Sequence, residues 1–385
     1  MKSIYLDNNA TTPLDPVVLE SMLAYFSDGF GNASSLHSFG RVAEEAVDEA
    51  RRKVAGLIGP CEPQDIVFTS GGTESNNFAI KGVAHALRDK GRHIITSRIE
   101  HLAVLGVCKF LEQEGYKVTY IPVDEYGIID LGALKQAIRD DTILISVMYA
   151  NNEIGTIQPV EEIAAIAREA GVVFHSDAVQ ALGKIDLDAE KTGASLLSLS
   201  SHKIYGPKGV GALYLGKGSR ITPLIHGGHH EKNRRAGTEN VPGIAGFGKA
   251  CDLAGERMEE DNKRLRFLRD RLWDGIKRDI RDVRLNGHPE KRLPNTLNIS
   301  IKDVDAESLL YNLDLKGIAA SGGSACTSGS LEPSHVLKAI GVSDSFIRGS
   351  ARFSLGRKNT ETDVDFTIKV LHEVVERIRG RFASH

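Results

Sequence analysis

The sequence predicts an α/β fold, with a large domain built around a mostly parallel seven-stranded sheet and a smaller α+β domain. Short apolar runs alternate with amphipathic stretches of helical length through most of the first 255 of the 385 residues, and this alternation is typical of a parallel sheet covered by helices. After about Gly255 the alternation stops, and a long charged stretch precedes an isolated apolar run. We therefore expect a large domain over residues 15–255. Residues 1–14 and 256–385 would form the small domain, which carries a loop at about 321–333.

Each apolar run of the first part has the length of a strand. The predicted strands are Asp65–Thr69, His93–Ser97, Lys117–Pro122, Thr142–Met148, Val172–Ser176, Leu196–Ser200 and Gly211–Leu215. The predicted helices include Glu74–Lys90, His101–Glu114, Val160–Ala170, Glu256–Asp279 and Thr360–Arg379. Active sites in such sheets collect at the carboxyl ends of the strands, so we expect the functional residues there.

Composition and charge argue against several classes of protein. The chain is 41% hydrophobic and 26% charged, with a net charge of −3. These values are ordinary for a soluble globular protein and do not favour nucleic acid or an anionic membrane as a partner. No apolar run of 18 residues and no signal-peptide pattern occur, so neither a membrane span nor secretion is expected. Cys61, Cys108, Cys251 and Cys326 are far apart, which argues against a disulfide framework or a thiolate zinc site and favours a reducing cytoplasm.

A lysine and an aspartate follow two of the predicted strands. Lys203 comes directly after one of them, and a lysine desolvated at such a position becomes a nucleophile for carbonyl groups. Ser200 and His202 flank it with small hydrogen-bond donors suited to a phosphate. Asp177 ends another apolar run, where its carboxylate could keep a pyridinium nitrogen protonated. Taken singly, a surface lysine and an aspartate at a helix N-terminus are the common alternatives.

Three further strands also run into polar groups. Gly71, Gly72 and Thr73 join a strand to a helix, where backbone N–H groups and a hydroxyl can bind an anion. Their spacing matches neither a Walker P-loop nor a dinucleotide-binding fingerprint, which favours a monophosphate over a nucleotide. A tight strand–helix turn is the alternative. His101 and Asn152 follow two more strands, so five strand ends carry groups suited to one phosphorylated aromatic cofactor.

The last two candidates lie in the second part of the chain. Seven of the ten residues from Ser321 to Ser330 are Gly or Ser, a composition typical of an exposed loop. Cys326 in this loop is accessible and could act as a nucleophile or sulfur carrier, or be an incidental exposed cysteine. Arg352 lies in an apolar run, and a buried arginine there would need an anion. The carboxylate of an amino-acid substrate or a structural Asp or Glu would supply it.

Together these features resemble the cysteine desulfurases of the NifS/IscS type, which are class V aminotransferases within the fold-type I pyridoxal-phosphate (PLP) enzymes. The resemblance runs nearly end to end. It is carried by Tyr5-Leu-Asp-Asn-Asn-Ala-Thr-Thr-Pro13, Gly31-Asn-Ala-Ser-Ser-Leu-His37, Gly71-Gly-Thr-Glu-Ser, His175-Ser-Asp-Ala-Val-Gln, Ser200-Ser-His-Lys, Arg234-Arg-Ala-Gly-Thr-Glu-Asn240, Ser324-Ala-Cys-Thr-Ser-Gly-Ser and Arg352-Phe-Ser-Leu-Gly. It implies the fold of a fold-type I PLP-dependent transferase.

The resemblance implies a role for each candidate. Lys203 would hold PLP covalently, His101 would stack on its ring and relay protons, and Cys326 would take the sulfur as a persulfide. The implied cofactor contacts are Gly72, Thr73, Asn152, Asp177, Gln180, Ser200, His202, Lys203 and Thr238, the threonine reaching in from a neighbouring subunit. The implied substrate contacts are Asn32, Asn152 and Arg352, with the arginine on the carboxylate.

The implied activity removes sulfur from L-cysteine and leaves L-alanine, while the persulfide passes to iron–sulfur cluster assembly. A homodimer is implied, as is an iron–sulfur scaffold protein as the sulfur acceptor. No metal is implied in the free enzyme, although Cys326 could be a transient iron–sulfur ligand. The alternatives are a class V aminotransferase or selenocysteine lyase, and a non-catalytic sulfur-delivery scaffold. His229 and His230 stand where the family usually has Gly-Gln, and the short final segment leaves the identity of the acceptor open.

Overall fold

The computed structural model describes residues 3–322 and 333–382 of the chain. The strands are β1 (Ile4–Tyr5), β2 (Ile66–Thr69), β3 (His93–Ser97), β4 (Lys117–Ile121), β5 (Thr142–Ser146), β6 (Val173–Asp177), β7 (Leu196–Ser200), β8 (Gly211–Leu215), β9 (Val283–Asn286), β10 (Thr296–Ile301), β11 (Ile318–Ala319) and β12 (Ser350–Ser354). The helices are α1 (Pro16–Ser27), α2 (Ser38–Leu57), α3 (Gly72–Ala86), α4 (Leu102–Gln113), α5 (Leu131–Ala137), α6 (Val160–Glu169), α7 (Ala189–Thr192), α8 (His230–Asn233), α9 (Val241–Asp279), α10 (Ala306–Leu315), α11 (His335–Ala339), α12 (Asp344–Ile347) and α13 (Glu361–Phe382).

The seven predicted strands form one sheet, in the order β2-β8-β7-β6-β5-β3-β4. The pairs from β7 through β6, β5 and β3 to β4 are parallel, whereas β8 is antiparallel to both of its neighbours. The α/β fold with a mostly parallel sheet is therefore confirmed. The antiparallel strand has a consequence for the site, because Gly211 at the start of β8 pairs with both Thr69 and Ser200. The carboxyl ends of β2 and β7 thus meet at one edge of the sheet.

A second core is built around β10, which lies between β9 and β12 in an antiparallel sheet. Its buried apolar residues come from 265–378 and from Ile4 and Leu6 near the start of the chain. β1 pairs in parallel with β11, so the N-terminal segment is tied to this second core. The two cores agree with the predicted division at 1–14, 15–255 and 256–385, and that division stays a prediction. None of the described helices is both long and apolar enough to cross a bilayer.

The long helix α9 starts earlier than the sequence predicts, at Val241 and not at Glu256. The Asn240 side chain caps it by accepting the N–H of Gly243. Three glycines in its first turns lower its intrinsic helix propensity and so hide the helix in the sequence. One of these glycines has a packing role: a Cβ at Gly248 would lie 2.6 Å from the Ala50 Cα of α2. The close approach of α9 to α2 therefore explains why this part of the helix contains glycine.

Candidate functional site

A cavity of about 400 Å³ lies at the carboxyl edge of the large sheet, and Arg352 of β12 also lines it. It brings together most of the predicted site residues. Those that line it are Gly72, Thr73, His101, Asn152, Asp177, Gln180, Ser200, His202, Lys203 and Arg352. The expectation that polar groups at separate strand ends converge on one site is met by this geometry.

Three predicted residues stand apart from the cavity. Asn32 is exposed, and its side-chain oxygen accepts the N–H of Ser34. Thr238 lines a separate depression beside Ser70 and Arg235. Cys326 lies outside the described residues. The roles expected of these three residues stay predictions.

Lys203 extends into the cavity from the 3₁₀ turn Ser201–Lys203 that follows β7. Its Nζ donates to the backbone oxygens of Asn9 and Ala10, at 2.6 and 2.7 Å. Both acceptors belong to the N-terminal segment, which crosses from the second core to reach the site. The position of this amine is therefore set by two parts of the chain that are nearly 200 residues apart.

Asp177 is the last residue of β6 and is 6% exposed. Its Oδ2 accepts from Asn76 Nδ2 at 2.7 Å, and its Oδ1 accepts from Val179 N at 3.0 Å. These two donors fix the plane of the carboxylate, while the residue still lines the cavity. A carboxylate held in this way is suited to keeping a ring nitrogen protonated.

The other end of the cavity has the chemistry of an anion site. Helix α3 begins at Gly72, so the first N–H groups of a 15-residue helix point towards the cavity wall. A Cβ on Gly72 would lie 2.7 Å from Val179 Cγ2, so the glycine permits close approach there. Ser200 Oγ is buried and has no hydrogen-bond partner among the described residues. Such an unsatisfied donor predicts a ligand atom beside it.

His202 and His101 are both neutral in this environment. Burial, together with the nearby charges of Lys203, Lys208 and Lys184, lowers the pKa of His202 to about 4. Burial also lowers the pKa of His101, against the opposing effect of Asp177. His101 Nδ1 accepts the N–H of Ala103 at 3.1 Å, so the proton of the neutral ring is on Nε2.

Arg352 of β12 is 1% exposed and meets an anion, as a buried arginine must. That anion is the carboxylate of Asp7, whose Oδ1 accepts from Nη2 at 2.6 Å. Nη1 donates to the backbone oxygen of Asn152 at 3.0 Å, and Nε has no partner among the described residues. A structural aspartate, one of the two anions considered, is therefore present. A substrate carboxylate at the same guanidinium stays a prediction.

A buried carboxylic acid completes the wall next to Asn152. Glu153 is 2% exposed, and burial raises its pKa to about 7 although Ser334 and Arg352 act in the opposite direction. Ser334 Oγ donates to Glu153 Oε2 at 2.6 Å and accepts the N–H groups of Val336 and Leu337. The residues immediately after the 323–332 segment are thereby anchored to the cavity wall.

Sequence reasoning missed six residues in or next to this site: Asp7, Asn9, Asn76, Glu153, Lys184 and His335. Asn9 lies within the first motif of the family resemblance, but an asparagine in a short N-terminal segment indicates no particular chemistry by itself. Asn76 stands one helical turn after Gly72, a spacing that predicts the same face of α3. His335 Nε2 donates to the backbone oxygen of Glu100 at 2.9 Å. No local pattern indicates the contacts of Lys184 or His335, since both depend on the tertiary structure.

Comparison with known proteins gives consistent matches over nearly the whole chain. The family model described as aminotransferase class-V matches residues 4–366. A cysteine desulfurase IscS from Methanosarcina thermophila is 55% identical over 379 residues, which cover 98% of this chain and 93% of that protein. A solved structure titled "NIFS-LIKE PROTEIN" has a TM-score of 0.92 at 40% identity and covers 97% of this chain and 100% of its own. Another, titled "SspA in complex with cysteine", has a TM-score of 0.81 at 38% identity. It covers 92% of this chain and 99% of its own.

Proposed function

Because the chain belongs to the class V aminotransferase family, and within it to the cysteine desulfurases, we propose that it uses PLP to remove sulfur from L-cysteine. The products are L-alanine and a persulfide on Cys326. One observation carries the proposal: a single cavity holds the amine of Lys203, the carboxylate of Asp177 and an anion site at the start of α3. These three groups match the aldehyde, the ring nitrogen and the phosphate of PLP.

The residues present fit this cofactor. Lys203 would hold it covalently and Asp177 would pair with its ring nitrogen. Ser200 Oγ, which is buried without a partner among the described residues, would donate to the phosphate together with the N–H groups of Gly72 and Thr73. When bound, PLP supplies a carbonyl that bonds to amines and a ring that withdraws electrons from the adjacent carbon.

The protein then contributes proton transfer and orientation. Lys203, whose amine lies at the cavity wall, would take the α-proton of cysteine. Asp177 holds the ring-nitrogen proton through its fixed carboxylate. His101 presents its Nε2 proton to the site. Arg352 binds the substrate carboxylate, with Asp7 limiting the net charge that the guanidinium brings to the cavity.

Chain length supports Cys326 as the sulfur acceptor. The backbone of Ser321 pairs with that of Arg352 through hydrogen bonds of 3.1 and 2.6 Å, so the segment that carries Cys326 leaves from the cavity wall. Cys326 follows Ser321 by five residues, and five residues of fully extended chain span at most about 18 Å. On the other side, Ser334 and His335 return the chain to Glu153 and Glu100.

The exposed surface supports a homodimer. Large apolar side chains cluster in and after α1, among them Leu23, Phe26, Phe30, Leu36 and Phe39, which are 55, 65, 65, 94 and 52% exposed. A patch of this kind is typical of an interface. Asn32 lies within it, and we propose that Asn32 and Thr238 serve the cavity of the second copy. The chain would pass its sulfur to an iron–sulfur scaffold protein in the cytoplasm.

Two variants test the proposal. Cys326→Ala should keep the visible absorption of bound PLP but lose alanine and sulfide formation from cysteine. The control is Cys61→Ala, because burial raises the pKa of Cys61 to about 11 and leaves a protonated thiol. Lys203→Ala should lose the visible band. Turnover by Cys326→Ala at the normal rate would exclude the persulfide. Dependence of alanine formation on an added keto acid would indicate an aminotransferase.

A further inference from the structure

A network of two amides and two amines lies at one wall of the cavity. Lys184 Nζ donates to Gln180 Oε1 at 2.6 Å and to Asn9 Oδ1 at 3.3 Å. Gln180 Nε2 donates to the backbone oxygen of Asn9 at 3.0 Å. The same oxygen accepts from Lys203 Nζ at 2.6 Å. A second lysine is therefore connected to Lys203 through a single residue.

The orientation of the Gln180 amide follows from the chemistry of its partners. A backbone carbonyl oxygen can only accept a hydrogen bond, so the Gln180 atom that faces Asn9 O is the amide nitrogen. The amide oxygen then faces Lys184, which must donate to it whether or not the amine is charged. Asn9 is fixed in the same way, because its Nδ2 donates to the backbone oxygen of Asn152 at 3.1 Å. The second N–H of Gln180 is consequently available to the cavity that this residue lines.

The Lys184 amine is buried, and burying an amine without a carboxylate partner costs free energy. Within the described part of the chain, no carboxylate lies in ion-pair distance of its amine, whereas buried lysines are usually paired. Burial, with the charges of Lys203 and Arg352 nearby, holds its pKa well below the ordinary value. Behind the site, a small cavity of about 30 Å³ is lined by both lysines. The hydrogen bonds to Gln180 Oε1 and Asn9 Oδ1 are what this buried amine contributes in return, and an apolar side chain would leave the Gln180 oxygen without this donor.

We propose that Lys184 is a positioning residue that holds the Gln180 oxygen away from the cavity, so that Gln180 presents an N–H donor to the ring hydroxyl oxygen of PLP. A donor favours the deprotonated form of that oxygen, whereas an amide oxygen at the same place would repel it. The inference rests on the proposed function, since the ring oxygen belongs to PLP. It adds a residue that does not touch the ligand but that, together with the backbone oxygen of Asn9, sets which atom of Gln180 faces it.

The test uses the full-length protein loaded with PLP. Lys184→Met keeps the length of the side chain and removes the donor. We expect the visible band of bound PLP to be displaced at constant pH, and PLP to bind about tenfold more weakly, as for the loss of one charge-assisted hydrogen bond. The matched control is Lys191→Met, because Lys191 is exposed and pairs only with Glu161 at 3.4 Å among the described residues. If Lys184 had only a structural role, the variant would bind less PLP, but the PLP that it still binds would absorb at the same wavelength as in the unaltered protein.

A double variant tests whether Lys184 acts through Gln180. Gln180→Leu should displace the band, and Lys184→Met added to it should cause no further displacement. An unchanged band in folded Lys184→Met, or additive displacements in the double variant, would overturn the inference. If Lys184→Met shows no cooperative melting, Lys184→Arg replaces it. Arginine can only donate, so its band should match that of the unaltered protein, and a displaced band would again overturn the inference. Absence of any PLP band in the unaltered protein would instead overturn the proposed function.

Discussion

The buried acid Glu153 makes a quantitative prediction about the pH dependence of stability. Burial raises its pKa from the ordinary value of 4.5 to about 7. At ~1.36 kcal/mol for each unit of pKa, ionising it in the folded protein costs about 3 kcal/mol more than in the unfolded chain. Below pH 4.5 the group is protonated in both states and the cost is absent. Stability should therefore fall as the pH rises from 4.5 through 7 and stay low above that.

Glu153→Gln removes this titration while keeping the contact with Ser334. The Ser334 oxygen already accepts two backbone N–H groups, so its single proton must go to residue 153, and a glutamine oxygen can accept it. Relative to the unaltered protein, Glu153→Gln should gain about 2 to 3 kcal/mol in free energy of unfolding between pH 5 and 8.5. Urea unfolding of both proteins across this range measures the difference.

A matched substitution and a direct spectroscopic signal sharpen that measurement. The matched control is Glu162→Gln, which makes the same substitution at an exposed position in the first turn of α6. The infrared band of a protonated carboxylic acid should disappear between about pH 6 and 8 in the unaltered protein and be missing from Glu153→Gln. A pH-independent offset for Glu153→Gln would refute the reasoning, as it would mean that residue 153 is ionised throughout.

Two further predictions concern the groups proposed to bind PLP. Gly72→Ala places a Cβ 2.7 Å from Val179 Cγ2 and should reduce the PLP retained after desalting. Gly56→Ala meets nothing within 4 Å and should retain PLP fully. Asn76→Ala removes the donor 2.7 Å from Asp177 and should weaken PLP binding about tenfold, by the loss of one charge-assisted hydrogen bond. Undiminished binding by a titration with free PLP would contradict this role of Asn76.

The large sheet could be predicted because each strand carries its own signal. The run Leu196–Ser200 has three leucines among its five residues, and the structure gives that strand the same bounds as predicted. Buried strands of a parallel sheet need this composition on both faces, so the pattern is local and strong. The start of α9 could not be predicted, because Gly248 owes its place to the approach of Ala50.

The same distinction applies to the site. Asp177 and Lys203 follow strands, and an edge shared by strand ends brings them together without knowledge of the loops. No local pattern places Lys184 at the site, because Asn9, which accepts a hydrogen bond from it, is 175 residues away in the sequence. Arg352 could be predicted to need an anion but not to meet Asp7, which is 345 residues away. A functional residue at the end of a strand can be predicted from the sequence. A contact between residues of two distant elements cannot be predicted in this way.

The position of Asn9 also bears on the order in which the protein is made. Asn9 is synthesised 345 and 287 residues before two of its partners, because Asn9 N donates to Ser354 Oγ at 2.9 Å and its side chain donates to Thr296 Oγ1 at 2.9 Å. At ~5–20 residues per second, the first segment waits tens of seconds for the partners that fix it. The large sheet can assemble before then, but the wall that holds Lys203 closes only after Ser354 has been synthesised. Nascent chains should therefore become competent to bind PLP late and abruptly.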